Sequence, residues 1–377
     1  MSKIYKVDNT NSTTVEMPMV FCRNEDKELQ QLLLKNHDML PGDQIDPIAP
    51  RRWLLIKREM PVPSPSNGSD AWSIDFLFGD QDATPTLVEC KRFADTRARR
   101  EIIGQVFEYA ANGHHYWNKA TLHEYATQEN ANRPDAFEQL ATRDFPSPDA
   151  YFEEMERRLR AGEIRIVFFL ERAPLELRSI VEFLNEQMPR VQILLVEASQ
   201  HELNGIRVVS PRLFGYTEEA RMAKSAAPTL KTTGLRRRWD VESFFKDALE
   251  KLQPSSVDAI RSLLEHARSR GYTASWGTGT ASGSFNIRHA DISERSFMSI
   301  YSDGRLTFNA GFINDGEVAK RARDFLKDSL RAVGMENLES SYPIWREVPW
   351  QNKGPAISAI LDALLEHIAA EFDDSAE

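Results

Sequence analysis

Blocks of apolar positions recur along this chain, and the period inside each block predicts an element. From Asn24 to Leu40, Leu29, Leu32, Leu33 and Leu34 fall at helical spacing, and the helix should stop before the breaker pair Pro41-Gly42. Trp53 to Val62 reads as a strand ended by the loop PVPSPSNGSD. Two short apolar runs follow, Ser73 to Gly79 and Thr86 to Lys91, and then a helical run from about Asp95 to Tyr116. Residues 118–148 are polar and irregular, with Pro134, Pro146 and Pro148. They are expected to form an insertion, either a lid or clamp or a plain surface excursion. A charged helix from about Asp149 to Ala161 leads into the fully apolar run Glu163 to Leu170, the mark of a central strand. Leu175 to Gln187 has helical spacing, Val191 to Ala198 is a second buried strand, and IRVVS ends the pattern near Pro211.

Strand, helix, strand order after the paired runs implies a mixed sheet flanked by helices, an α/β architecture. This first domain is expected over residues 1–215. Residues 216–238, rich in Ala, Lys, Thr and Ser and ending in LRRRW, read as a linker. A separate α+β domain is expected over 239–377. It should have helices at 240–252 and 256–269, an antiparallel meander of strands at 272–276, 283–288, 297–301 and 306–312, and two closing helices. Ser302-Asp303-Gly304-Arg305 suggests a type I′ hairpin turn. The loop Trp276 to Phe285 is rich in glycine and hydroxyls. It lacks the Gly-Lys-Ser/Thr ending of a phosphate loop and precedes a strand, so it reads as a hairpin loop.

At 377 residues the length fits two domains, and 41% hydrophobic with 28% charged residues is ordinary for a globular chain. No apolar run approaches the ~20 residues needed to span a bilayer, and the N-terminus lacks a signal-peptide pattern. Two cysteines, Cys22 and Cys90, make neither a disulfide framework nor a thiolate zinc site. The expectation is a cytoplasmic protein of a reducing compartment. The net charge of −10 argues against a wholly electrostatic nucleic-acid binder, though a bound metal and a local basic surface can offset carboxylates.

Chemistry concentrates between Trp72 and Tyr109. Asp75 interrupts the first apolar run, and Glu89, Cys90 and Lys91 end the second. Strand alternation puts Glu89 and Lys91 on one face and Cys90 on the other. A hairpin would bring Asp75 beside that pair, giving two carboxylates and an ammonium suited to a divalent metal and a phosphate. Charged residues are depleted in strands, so this placement is informative. Glu25-Asp26-Lys27 fits the same acid-x-lysine triplet but precedes a helical pattern with no apolar strand before it. Gln105 and Tyr109, four apart, share a helix face.

Asp75, Glu89-x-Lys91 and Gln105-x-x-x-Tyr109 together resemble the PD-(D/E)xK nuclease superfamily, in its RecB-like form, over roughly residues 21–212. Ile74 stands where that family's motif has proline. The resemblance implies a restriction-endonuclease-like fold and Mg²⁺-dependent hydrolysis of DNA, with Mn²⁺ able to substitute, as in restriction or phage defence. Asp75, Glu89 and the Cys90 backbone carbonyl would hold the metal, with Glu28 from the first helix as an outer ligand. Lys91 would orient the attacking water or stabilise charge, and Gln105 and Tyr109 would position the lysine or the strand. Arg92, Arg97, Arg99 and Arg100 are phosphate-contact candidates or exposed helix-start arginines. A homodimer is compatible with the family, and the second domain would take DNA, a partner protein or a regulatory ligand. A non-catalytic nucleic-acid-binding or assembly module on the same scaffold is the alternative.

Overall fold

The computed structural model describes residues 3–7, 13–47, 49–63, 70–92, 98–113, 116–133, 137, 140, 145, 147–216, 239–277, 282–313, 316–340 and 342–374. It divides into two compact units, Met1–Ile45 with Arg51–Pro228, and Asp46–Pro50 with Thr229–Glu377. The expected linker, apart from Tyr216, lies outside the described residues.

Unit 1 opens with a two-stranded ribbon, β1 (Ile4–Val7) against β2 (Thr14–Met17), and a short edge strand β3 (Met19–Val20). A π-turn (Glu25–Gln30) runs into α1 (Gln31–Lys35), and after a 3-10 turn at His37–Met39 comes α2 (Gly42–Ile45). The single helix expected over 24–40 is therefore broken. Asn36 leaves helical geometry and its amide turns back to the Leu32 carbonyl at 3.0 Å, a competition typical of asparagine.

The long sheet contains β4 (Leu54–Pro63), β5 (Asp70–Gly79), β6 (Pro85–Lys91), β7 (Arg165–Leu170), β8 (Gln192–Leu203) and β9 (Ile206–Phe214). Its order is β3-β8-β7-β6-β5-β4, with β9 also on β8. β6, β7 and β8 run parallel and are joined by helical crossovers, while β4 and β5 are antiparallel additions at one side. This is a mixed sheet flanked by helices. On one face, α3 (Ala98–Gly113), α4 (Lys119–Glu129), α5 (Pro148–Ala161) and α6 (Leu175–Gln187) bury Val106, Leu122, Phe152 and Val181 against Ile74, Leu87, Ile166 and Ile193. On the other, Leu29, Leu33, Leu40 and Ile45 cover Phe76, Phe78, Val88 and Val167.

The region expected to be an irregular insertion contains α4. Asn118 caps it by accepting from the Thr121 N–H, and Leu122 and Ala126 pack into the core. Its apolar positions are few, so helical periodicity was weak there.

Unit 2 has α7 (Val241–Lys251) and α8 (Pro254–Ser269), then strands β10 (Thr273–Trp276), β11 (Ser284–His289), β12 (Ser293–Tyr301), β13 (Leu306–Phe308) and β14 (Ile344–Trp345) in antiparallel order. Helices α9 (Glu317–Ala332) and α10 (Trp350–Asp374) close it. The turn after β12 is not type I′. Only Gly304 takes a positive φ (86°), the Gly304 N–H donates to the Tyr301 carbonyl, and the Tyr301 N–H donates to Arg305. This is the three-residue loop with a glycine bulge.

One buried ion cluster fixes the hairpin that matters most. Asp80, fully buried in the turn between β5 and β6, accepts from Arg165 Nη1 at 2.9 Å. Its other oxygen accepts from the N–H groups of Asp82 and Thr84 at 3.0 Å each, while Tyr151 donates to its carbonyl. Gly79 lies directly under Tyr151 and Met155, where a Cβ would sit 2.3 Å from both side chains. Removing one partner of a buried pair leaves an uncompensated charge and costs about 3–5 kcal/mol. Asp80→Ala should lower unfolding stability by about that amount in urea titration. A loss below about 1 kcal/mol would show that Arg165 does not depend on it.

Candidate functional site

The site forms where pairing between β5 and β6 ends. The last ladder pair is Phe76↔Val88, so the same register sets Asp75 across from Glu89. Beyond it the Asp75 carboxylate takes over from the ladder, accepting from the Cys90 N–H at 2.7 Å through Oδ2. Its other oxygen accepts from Gln30 Nε2 at 2.9 Å. Across β5 on the other side, Glu59 in β4 has φ 50°, an uncommon backbone for a non-glycine residue next to a chemical site.

Glu89 is 2% exposed, and its two oxygens differ. Oε1 lies 3.0 Å from Lys91 Nζ, whereas the buried Oε2 has no hydrogen-bond partner among the described residues. Lys91 is thus on the Glu89 face, as strand alternation requires. Lys91 Nζ also lies 3.2 Å from Glu25 Oε1, and Glu25 Oε2 accepts from the Arg92 N–H at 3.1 Å. Gln105 Nε2 donates to the Tyr109 hydroxyl at 2.6 Å, and buried Tyr109 feels the charges of Glu89, Lys91 and Asp75. Asp75, Glu89 and Lys91 therefore meet at the end of the β5–β6 hairpin, and the Gln105–Tyr109 pair on α3 lies within electrostatic range of them.

Glu28 does not join them. It accepts from the Arg23 N–H at 3.2 Å, and its charge acts on Cys22. The acid on the first helical stretch that reaches the cluster is Glu25, a member of the triplet whose helical setting spoke against it. Arg92 directs its guanidinium to the Arg23 carbonyl at 2.6 Å. Arg97 lies outside the described residues, and Arg99 and Arg100 sit in the first turn of α3, with side chains outside them. Both cysteines are free and buried. Burial pushes Cys22 up to about 12 and raises Cys90 well above its ordinary value.

Electrostatically the cluster is short of positive charge. Burial, and then the neighbouring Glu89 carboxylate, push Asp75 up to about 8. Burial also raises Glu89, against the attraction of Lys91. Burial works against the Lys91 charge too, yet Glu89, Asp75 and Glu25 together raise it, so Lys91 is an ammonium. Among the described residues, no group of three or more His, Cys, Asp or Glu gathers at metal-holding geometry. Two carboxylates are nonetheless what Mg²⁺ ordinarily takes from a protein, with water and phosphate oxygens completing its shell. The unpartnered Glu89 Oε2 beside Asp75 fits such an ion.

Both carboxyls titrate above their ordinary values, so between about pH 4 and pH 8 the folded chain binds more protons than the unfolded one. Stability without metal should therefore fall as pH rises through that window. Asp75→Asn removes the charge, and in EDTA at pH 8 it should melt about 2–4 °C above wild type by calorimetry. A variant that melts lower at pH 8 would mean the carboxylate is held there as a stabilising anion.

No protein-family model, curated protein or solved structure matches this chain, so the chemistry of the cluster is inferred from its own atoms.

Proposed function

We propose that this protein is a metal-dependent nuclease that hydrolyses phosphodiester bonds in DNA, using the cluster at the β5–β6 hairpin. The observation that carries this reading is the pair Asp75 and Glu89, buried opposite each other, with Glu89 Oε2 unpartnered and the Lys91 ammonium 3.0 Å from Oε1. The arrangement matches the PD-(D/E)xK pattern legible in the sequence, and the mixed sheet flanked by helices is compatible with a restriction-endonuclease-like fold.

Asp75 and Glu89 would hold the ion, Mg²⁺ or Mn²⁺, with the Cys90 carbonyl as a further oxygen. When bound, such an ion polarises a phosphoryl oxygen and lowers the pKa of its water. The chain's own residues do the rest. Lys91 stabilises negative charge developing on the phosphate and orients the attacking water. Its Nζ and the Arg92 N–H, both now turned to Glu25, are a cation and an amide donor of the kind that phosphate oxygens accept from. Tyr109, held by Gln105, would bound the site from α3. Holding the Lys91 ammonium is the task of Glu89 and Glu25, which raise its affinity for the proton.

Two measurements test this reading. Supercoiled plasmid incubated with the full chain and Mg²⁺ or Mn²⁺ should be nicked or linearised. EDTA should abolish the activity, and Lys91→Ala should lower it by about 10²-fold or more. Full activity in Lys91→Ala or Asp75→Ala would remove the assignment. Binding without turnover, unaffected by EDTA, would instead identify a nucleic-acid-binding module.

Metal binding must also displace the proton that burial holds on the pair. Calorimetric titration with Mg²⁺ at pH 7, in buffers of different ionisation enthalpy, should show release of about one proton per ion. No proton release would place the ion elsewhere.

A further inference from the structure

The π-turn at Glu25–Gln30 faces the candidate site at both of its ends. At 3.6 residues per turn, positions five apart in an α-helix diverge by about 140° around the axis. A π-turn closes i→i+5 bonds, here from the Gln31 N–H to the Asp26 carbonyl, and so brings such positions over one another. Glu25 reaches Lys91, and Gln30 reaches Asp75. Such turns are rare and recur at functional sites.

Gln30 is 5% exposed and engaged at both ends of its amide. Its Nε2 donates to Asp75 Oδ1 at 2.9 Å, and its Oε1 accepts from Arg58 Nη2 at 3.2 Å. The direction of this chain is chemically fixed. A guanidinium only donates, so the amide oxygen must face Arg58 and the amide nitrogen must face Asp75. Arg58 is itself anchored by an ion pair with Asp26, in the same π-turn. It stands on β4 opposite Phe76, one position along from the residue across from Asp75. With the Cys90 N–H on Oδ2, both oxygens of Asp75 are held by directed donors.

We propose that Gln30, oriented by Arg58, is a positioning residue that fixes the Asp75 carboxylate for sharing a divalent cation with Glu89 Oε2. The inference rests on the metal-binding reading given above and extends it to two residues outside the motif. Hydrogen-bond partners of a ligating carboxylate set its orientation, and their loss typically costs 10–100-fold in metal affinity. Gln30 holds Asp75 directly, and Arg58 acts only by holding Gln30.

The test is Mn²⁺ binding to the full chain at pH 8, without nucleic acid, followed by electron paramagnetic resonance of the free ion and by calorimetry. Gln30→Met keeps the bulk and removes the donor, and should weaken Mn²⁺ binding by about 10–100-fold. Arg58→Met should weaken it in the same direction, and the double variant should be no worse than Gln30→Met alone, because the two act in series. Gln30→Met that binds Mn²⁺ within about twofold of wild type, or single effects that simply add, would overturn the inference. A role in folding alone would lower the melting temperature while leaving Mn²⁺ affinity untouched, which also overturns it. If Gln30→Met does not fold, Arg58→Met decides, since its own loss of affinity is the required result. Wild-type protein that binds no Mn²⁺ overturns the metal reading and this inference with it. Loss confined to the variants, or its absence there, bears on the relay alone.

Discussion

The site depends on the register of one hairpin, and that register is fixed at the far end from the chemistry. Asp80 gathers the turn between β5 and β6 by accepting two backbone N–H groups, and it is clamped beneath the strands by the buried Arg165 guanidinium. Arg165 in turn reaches Thr86 on β6 and Gln192 on β8, so one side chain ties three strands at the same level. A one-residue slip in this hairpin would send Glu89 to the opposite face of the sheet. With the turn fixed, Phe76 pairs with Val88, Asp75 stands across from Glu89, and Lys91 follows on the same face. Buried ion pairs add little net stability, because desolvation offsets their attraction, but they discriminate strongly against wrong arrangements. Specifying register is the service that such a pair renders well.

The consequence of that register is an electrostatic conflict. Two carboxylates, one 8% and the other 2% exposed, face each other with a single ammonium at hand. A third carboxylate, Glu25, competes for the same ammonium. Burial, and then the neighbouring carboxylate, make the pair bind a proton more tightly, and Asp75 rises to about 8. The strained Glu59 backbone beside it and the unpartnered Glu89 oxygen belong to the same local frustration. Natural chains break the rules of packing and satisfaction mostly where function requires it.

Much of this was legible in the linear pattern, and what was not has identifiable causes. Strands with uninterrupted apolar runs, such as Arg165–Leu170, and helices with clean periodicity, such as Leu175–Gln187, stand where the pattern put them. The acid-bearing strands are also there, because a charge inside an apolar run is conspicuous. Glu25 was set aside with its triplet and Gln30 was not singled out, for a geometric reason, since a spacing of five carries no signal when 3.6 is the period being sought. Arg58 was hidden because a charged residue on an antiparallel edge strand ordinarily means a solvated face. In unit 2 the alternation marked strands, and polar alternate positions would be expected at the surface. Ser299, Thr307 and Asn309 are fully buried instead, with Ser299 bridging Asn286 and Asn309 at 2.6 and 2.9 Å. The register lines up Ser275, Asn286, Ser299 and Thr307 across four strands, a row that only pairing can reveal.

The same electrostatics constrain how the proposed reaction must be assembled. A phosphodiester approaching Asp75, Glu89 and Glu25 meets three carboxyl groups, with one proton held on the Asp75 and Glu89 pair, and one engaged ammonium, in a chain whose net charge is −10. At an effective dielectric near 20, unit charges about 4 Å apart interact by about 4 kcal/mol. Like-charge repulsion of that order would outweigh any single contact from Lys91. A divalent ion held by Asp75 and Glu89 would reverse the sign of the field and take the place of the proton on the pair. On the proposed reading, then, the cation precedes or accompanies the phosphate. Glu25 would serve the interval before that, since it engages the Lys91 ammonium and the Arg92 N–H that a phosphate would otherwise take.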